Sequence, residues 1–175
     1  MAESKETIEA KENSENKDYF SKIVETDPLL IQWANEQIRD DEQIMLKAVK
    51  VDGGALEFAS NRLKDNKEIL LAATSQAGWT GCYASQRLLD DKDVVLNAVK
   101  NDGQILYFSS QRLRDDEDVV LEAVKNKPII LKYASYRLRN NKQIAIAAVT
   151  KGKKKAYEFI SDELKEDEEI KKLLE

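Results

Sequence analysis

The stretch that decides the fold is Gly103-Gln104-Ile105-Leu106-Tyr107-Phe108-Ser109-Ser110-Gln111-Arg112-Leu113-Arg114-Asp115-Asp116-Glu117-Asp118-Val119-Val120-Leu121-Glu122-Ala123-Val124-Lys125. Its first half, from Gly103 to about Leu113, sets Leu106, Ser109 and Leu113 at i, i+3, i+7, with Ile105 and Phe108 beside that stripe. Its second half, after the polar pair Asp115-Asp116, sets Val119, Val120, Ala123 and Val124 at i, i+1, i+4, i+5. Both spacings are helical, and neither alternates as a half-buried strand does. The stretch therefore predicts two short helices, A and B. β-branched residues are modest helix formers, so helix B depends on packing more than on propensity.

Working outward, the same pattern returns at a step of 25 residues. An aromatic stands at Trp33, Phe58, Tyr83, Phe108 and Tyr133, and an aliphatic at Ile38, Leu63, Leu88, Leu113 and Leu138. Arg62, Arg87, Arg112 and Arg137 keep the step, as do Ser60, Ser85, Ser110 and Ser135, and Ala48, Ala73, Ala98, Ala123 and Ala148. Phe159, Ser161 and Leu164 arrive one residue late, which places a single insertion near Lys151–Lys155. That basic run reads as a solvated loop rather than an anion site.

The boundaries repeat too. Asp40, Asp65, Asp90, Asp115 and Asn140 stand where a side chain caps helix B. Gln43, Glu68, Asp93, Asp118 and Gln143, three residues on, suggest a capping box. Gly53, Gly78 and Gly103 fit a left-handed turn after helix B, and Pro28 and Pro128 share their column because proline is tolerated in a helix's first turn.

Helices this short are marginal alone, and each pair has an apolar face that only a neighbouring pair can cover. The expected fold is all-α, an α-solenoid of tandem helical hairpins capped by helices at both ends. Residues 1–16 are expected to form a mobile acidic tail and 17–175 a single repeat domain. Within that domain 17–26 forms a cap helix, 28–151 five regular units and 152–175 a degenerate C-terminal unit. Ile170, Leu173 and Leu174 belong to the C-terminal cap.

At these columns the chain resembles the bacterial domain-of-unknown-function 4116 family. There a DD-x-x-VVL-x-AV run precedes DG-x-x-L-x-(aromatic)-A/S-S-x-x-L, as in Asp115 to Lys125 and Asn101 to Ser110. The resemblance covers about residues 28–150 and departs at Lys127-Pro128 and Asn140-Asn141. It implies an α-helical tandem repeat from a bacterial or related source and carries over no catalytic residue.

Composition excludes several chemistries. The chain has no His and one Cys, which removes imidazole catalysis, His-based metal sites and any internal disulfide. Residues 1–27 hold eight acids and four bases, residues 151–175 eight and seven, leaving 28–150 neutral within a net charge of −5. A neutral body with an acidic arm does not fit a nucleic-acid surface. No apolar run suits a signal peptide or a membrane span, so a cytoplasmic protein is expected, with export lacking a signal left open. No cofactor, no metal, no membrane insertion and a monomeric state are expected.

The shared columns are scaffold. The Asp pairs cap helices, and the Arg column either forms a ladder for an acidic partner or bridges adjacent units through helix carbonyls and cap carboxylates. The Ser column is read as small packing residues without a base to activate them. Cys82 is read as a quiet thiol. Function is sought where units differ on one exposed face of helix A. That face reads Leu29, Gln32, Glu36, then Gly54, Glu57, Asn61, then Trp79, Cys82, Gln86, then Gln104, Tyr107, Gln111, and last Ile129, Lys132, Tyr136. The candidate partner-binding residues are Trp79, Cys82, Gln86, Tyr107, Gln111, Ile129, Lys132 and Tyr136, with the alternative that Trp79 and Tyr107 fill grooves between helices. The expected function is a non-enzymatic scaffold that binds a protein or peptide. The rival readings are a bacterial effector or surface adhesion module, and an enzyme using carboxylates.

Overall fold

A computed structural model describes residues 3–175, and every regular element among them is helical. The chain divides into two compact units, one ending at Ser85 and the other running Gln86–Glu175. A single domain over 17–175 is expected, but repeats that touch mainly their neighbours allow such a division.

In the first unit, α1 (Lys5–Glu12) and α2 (Lys17–Ile23) precede a 3-10 turn Pro28–Trp33, α3 (Glu36–Arg39) and α4 (Glu42–Val51). The series continues with a 3-10 turn Gly53–Phe58, α5 (Asn61–Lys64) and α6 (Lys67–Gln76), and then a third turn Gly78–Tyr83. The second unit holds α7 (Gln86–Leu89), α8 (Lys92–Asn101), α9 (Ile105–Phe108), a 3-10 turn Leu113–Asp115 and α10 (Glu117–Asn126). It ends with a 3-10 turn Pro128–Tyr133, α11 (Tyr136–Arg139), α12 (Lys142–Tyr157), α13 (Asp162–Lys165) and α14 (Glu168–Lys172).

Helix B is as expected, and in the second unit Val119, Val120, Ala123 and Val124 are all buried. Helix A is not one helix. Ala34, Ala59, Ser109 and Ala134 are extended, with ψ of 151°, 152°, 160° and 158°, which ends the first turn. The following residue then caps a fresh turn. Asn35 Oδ1 accepts from the Ile38 amide at 3.0 Å, and Ser60 and Ser135 Oγ accept from Leu63 and Leu138 at 3.2 Å. The Ser column is thus a cap column as well as a small one.

The helix B caps also lie one residue later than expected. Asp41, Asp91, Asp116 and Asn141 accept from the amides of Ile44, Val94, Val119 and Ile144 at 3.0–3.2 Å. The residue three after each true cap is therefore apolar, and the capping box is not formed.

The preceding acid, expected as the cap, joins one repeat to the next. Ser60 Oγ donates to the Asp40 carboxylate, while Arg62 Nε donates to the same carboxylate at 3.0 Å and its terminal nitrogen to the Asp40 carbonyl at 2.6 Å. The Ser60 amide donates to the Arg39 carbonyl at 3.3 Å. In the second unit Ser110 and Arg112 hold Asp90 in the same way, and Ser135 and Arg137 hold Asp115, with both Nε contacts at 3.0 Å. The Arg column bridges repeats and does not form a free ladder. At the last junction the polarity is exchanged: Ser161 donates to Asn140 at 2.5 Å, and Asn140 donates to Glu163 at 2.8 Å.

The glycine column has a different reason from the one expected, since no glycine among the described residues has positive φ. A Cβ on Gly53 would lie 2.3 Å from the Ala73 carbonyl oxygen, and one on Gly103 2.6 Å from that of Ala123. These glycines let the turn touch the next helix B backbone. Where Pro128 takes the column, Gly152 yields the space, because a Cβ there would meet the proline Cβ at 2.6 Å.

The predicted insertion is a kink inside α12 at Lys153, with φ 48° and ψ −138°. The basic run is therefore helical on both sides of one strained residue, not a loop. Residues 1–16 also differ from expectation, although Met1 and Ala2 lie outside the described residues. Lys5–Glu12 is a helix capped by Ser4, with Ala10 buried and Lys11 Nζ 4.2 Å from the Trp33 ring centre. The Ser14 carbonyl accepts from Asn35 at 2.8 Å, the place that Arg39 takes for Ser60. The segment is thus held against the first repeat through Ala10, Lys11 and the Ser14 carbonyl.

At the C-terminal end Ile170 is buried, with Leu173 and Leu174 half-buried beside it.

Two substitutions should act in opposite directions in thermal melts. Lys153→Gly relieves the backbone and is expected to stabilise by about 1 kcal/mol. Gly53→Ala drives a methyl into a carbonyl and is expected to destabilise by about 1–3 kcal/mol.

A third expectation concerns acid. The Ser hydroxyl first, and then the Arg guanidinium, hold Asp90 and Asp115 below the ordinary carboxylate range. Stability from a lowered carboxylate is complete above the unfolded pKa, about 3.9, and is lost as pH falls through the folded value. In denaturant titrations Asp115→Asn should be less stable than wild type near neutrality, and the gap should close in acid.

Candidate partner-binding face

Among the described residues, the large apolar side chains left exposed are Ile8, Leu29, Val51, Trp79, Tyr107, Ile129 and Tyr136. All but Ile8 and Val51 fall in the one set of variable columns. Scattered exposed apolar groups are ordinary; concentration in one set of positions is not. Each of the eight candidate residues is exposed, Trp79 by 45%, Tyr107 by 51% and Tyr136 by 60%. Trp79 also lies over Gly54 and Tyr107 stacks on Tyr133, so each ring covers a neighbouring repeat with about half of its surface and leaves the rest exposed. Gly54 and Gln104, in the same columns, are buried and half-buried.

In the first unit the turn Gly78–Tyr83 lifts Trp79 over Gly54, where an added Cβ would lie 3.6 Å from the indole. The Trp79 and Tyr83 rings meet edge-on at 6.0 Å. Tyr83 donates its hydroxyl to Glu57 at 2.9 Å, and Lys64 Nζ stands 5.9 Å from the Tyr83 ring centre. Burial first, and then the bond to Glu57, push the Tyr83 phenol up to about 12. Burial and then the Glu57 charge also push the Cys82 thiol up, which a backbone hydrogen bond, the Tyr83 side chain and Lys64 offset only in part.

In the second unit Tyr107 lies on α9 and Gln111 just after it, while Ile129 and Lys132 lie on the turn Pro128–Tyr133 and Tyr136 opens α11. The Tyr107 and Tyr133 rings are 4.6 Å apart at 56°, and Tyr107 meets Phe108 at 4.9 Å. Lys132 Nζ is 4.7 Å from the Tyr133 ring centre, and the Arg139 guanidinium is 5.8 Å from that of Tyr136. Gln86, exposed in the first turn of α7, belongs to this unit as well.

Sequence reasoning missed two members of this surface. Tyr133 stands in the repeated aromatic column, yet it is half-buried and stacks on Tyr107 instead of sinking into the core. The column Arg39, Lys64, Arg114, Arg139, one residue ahead of the bridging acids, was available at the same step but is interrupted by Leu89. The Nε atoms of Arg39, Arg114 and Arg139 are buried without a hydrogen-bond partner.

A family described as Domain of unknown function (DUF4116) matches residues 16–64, 41–89, 82–114 and 116–165. These tandem and overlapping segments cover well over half of the chain, which therefore belongs to that family. Searches of curated proteins and of solved structures found no match.

The thiol geometry carries a measurable consequence. Cys82 is exposed, but its raised pKa leaves little thiolate at neutral pH. Alkylation by iodoacetamide should be slower than that of a free cysteine peptide near neutrality, and Glu57→Gln should speed it.

Proposed function

We propose that this member of the DUF4116 family is a non-enzymatic helical-repeat scaffold that binds a protein or peptide partner through the variable face of its first-half turns. One observation carries the reading: the shared columns are spent on cores, caps and inter-repeat bridges, while exposed aromatics collect in the columns that vary. Aromatic side chains with few rotatable bonds lose little entropy on contact, and such residues dominate binding surfaces.

The carboxylates favour a scaffold over an enzyme. Asp40, Asp90 and Asp115 are each held below the ordinary range by a serine hydroxyl and then an arginine, the opposite of what a general acid needs. No helix among the described residues is long and apolar enough to cross a membrane. The setting proposed is the cytoplasm of a bacterium or related cell, with the protein acting as a monomer and not on nucleic acid.

The test is affinity capture from the native lysate followed by mass spectrometry. A Trp79→Ala/Tyr107→Ala variant should keep its far-ultraviolet dichroism and lose the captured partner by about thirtyfold or more, the scale of at least one hot-spot side chain. A variant that recovers the same partner in the same amount overturns the reading.

A further inference from the structure

The geometry points to an acidic polypeptide segment as the occupant of this face in the unit Gln86–Glu175, an assignment that rests on the scaffold reading. Residues 103–114 and 128–139 contain no Asp or Glu, yet they carry Arg112, Arg114, Lys132, Arg137 and Arg139. Arg112 and Arg137 are committed to Asp90 and Asp115. Among the described residues Arg114, Lys132 and Arg139 make no ion pair, although the chain as a whole carries a net charge of −5.

Burial sharpens the point. The Nε donors of Arg114 and Arg139, like that of Arg39 in the first unit, are out of contact with water and have no acceptor, so it is the terminal guanidinium nitrogens that a carboxylate would meet. Arg114 and Arg139 are half-buried and Lys132 is exposed. Lys132 and Arg139 lean on the rings of Tyr133 and Tyr136, which holds the cations in place without neutralising them. The first unit differs at the same columns, where Glu36 and Glu57 stand and Glu57 already occupies Tyr83.

The spacing sets a further condition. Arg114 and Arg139 lie one repeat apart, and stacked helices are separated by about 8–10 Å. A segment in polyproline II form rises about 3.1 Å per residue with about three residues per turn, so carboxylates three residues apart share one side and meet successive guanidinium forks. Apolar side chains between them meet Tyr107, Ile129 and Tyr136. A nucleic acid is disfavoured, because single cations one repeat apart do not make the clustered basic stripe that a phosphate backbone requires.

The experiment pans the full chain against a random dodecapeptide phage library at low salt. Recovered peptides should be enriched in Asp and Glu beside Leu, Phe or Tyr and depleted in Lys and Arg. A synthetic consensus peptide should lose about tenfold or more in affinity to Arg114→Gln/Arg139→Gln, and again to Lys132→Glu, but little to Lys100→Gln. Lys132 is a surface residue, so its variant tests the charge even if the double variant melts early. Peptides that need Tyr107 and Tyr136 but show no acidic bias overturn this inference and leave the scaffold reading standing. Recovery of no peptide that depends on those tyrosines overturns both. Displacement of the consensus peptide by single-stranded poly(U) at the same salt overturns it in favour of nucleic acid.

Discussion

From Ser60 onward, one hydroxyl per repeat holds both its own turn and the turn before it. Ser135 Oγ accepts the Leu138 amide and donates to the carboxylate of Asp115, twenty residues earlier. A hydroxyl has one proton to give and lone pairs to receive, so both bonds form at once. Arg137 then closes on the same acid and on its carbonyl, and the Ser135 amide reaches the Arg114 carbonyl at 2.9 Å. Local capping and inter-repeat register are therefore set at one atom. The exchange at the last junction keeps the link: with Asn140 in place of an acid, Glu163 in place of an arginine restores a donor–acceptor pair.

This commitment of the shared columns explains the character of the surface. Once Ser, Asp, Arg and Ala are bound to neighbours, the side chains free to differ are those on the outer edge of the short turns in the first half of each repeat. They sit on short turns whose inner residues are buried, among them Thr80, Leu106 and Leu131, so their rings are presented with little freedom. The first unit spends part of this face internally, through the Tyr83–Glu57 bond and the indole laid over Gly54. The second unit stacks Tyr107 on Tyr133 and leaves cations beside the rings without acids.

Much of this was legible beforehand where the physics is local. The period of Val119, Val120, Ala123 and Val124 needs only a helix to make sense, and all four are buried. The late arrival of Phe159 and Ser161 required one extra residue, and the strain at Lys153 is where it went. The exposed columns were read correctly at Trp79, Tyr107, Ile129 and Tyr136 because variation at helical spacing marks an outer face. The break in helix A was not read, because a Ser that caps and a Ser that packs look alike in one chain.

What the amino-acid order settled alone was the helical period, its repeat, the buried stripes and the outward face, since each depends on neighbours within a turn or two. The choice between Asp40 and Asp41 could not be made that way. Both acids suit a cap, and only the arrival of Ser60 and Arg62 from the next repeat separates the bridge from the cap. The glycine column likewise turned on a carbonyl twenty residues away, not on its own φ. The unpaired state of Arg114 and Arg139 depends on which acids the packed chain brings near, a contest among distant groups that only tertiary structure resolves.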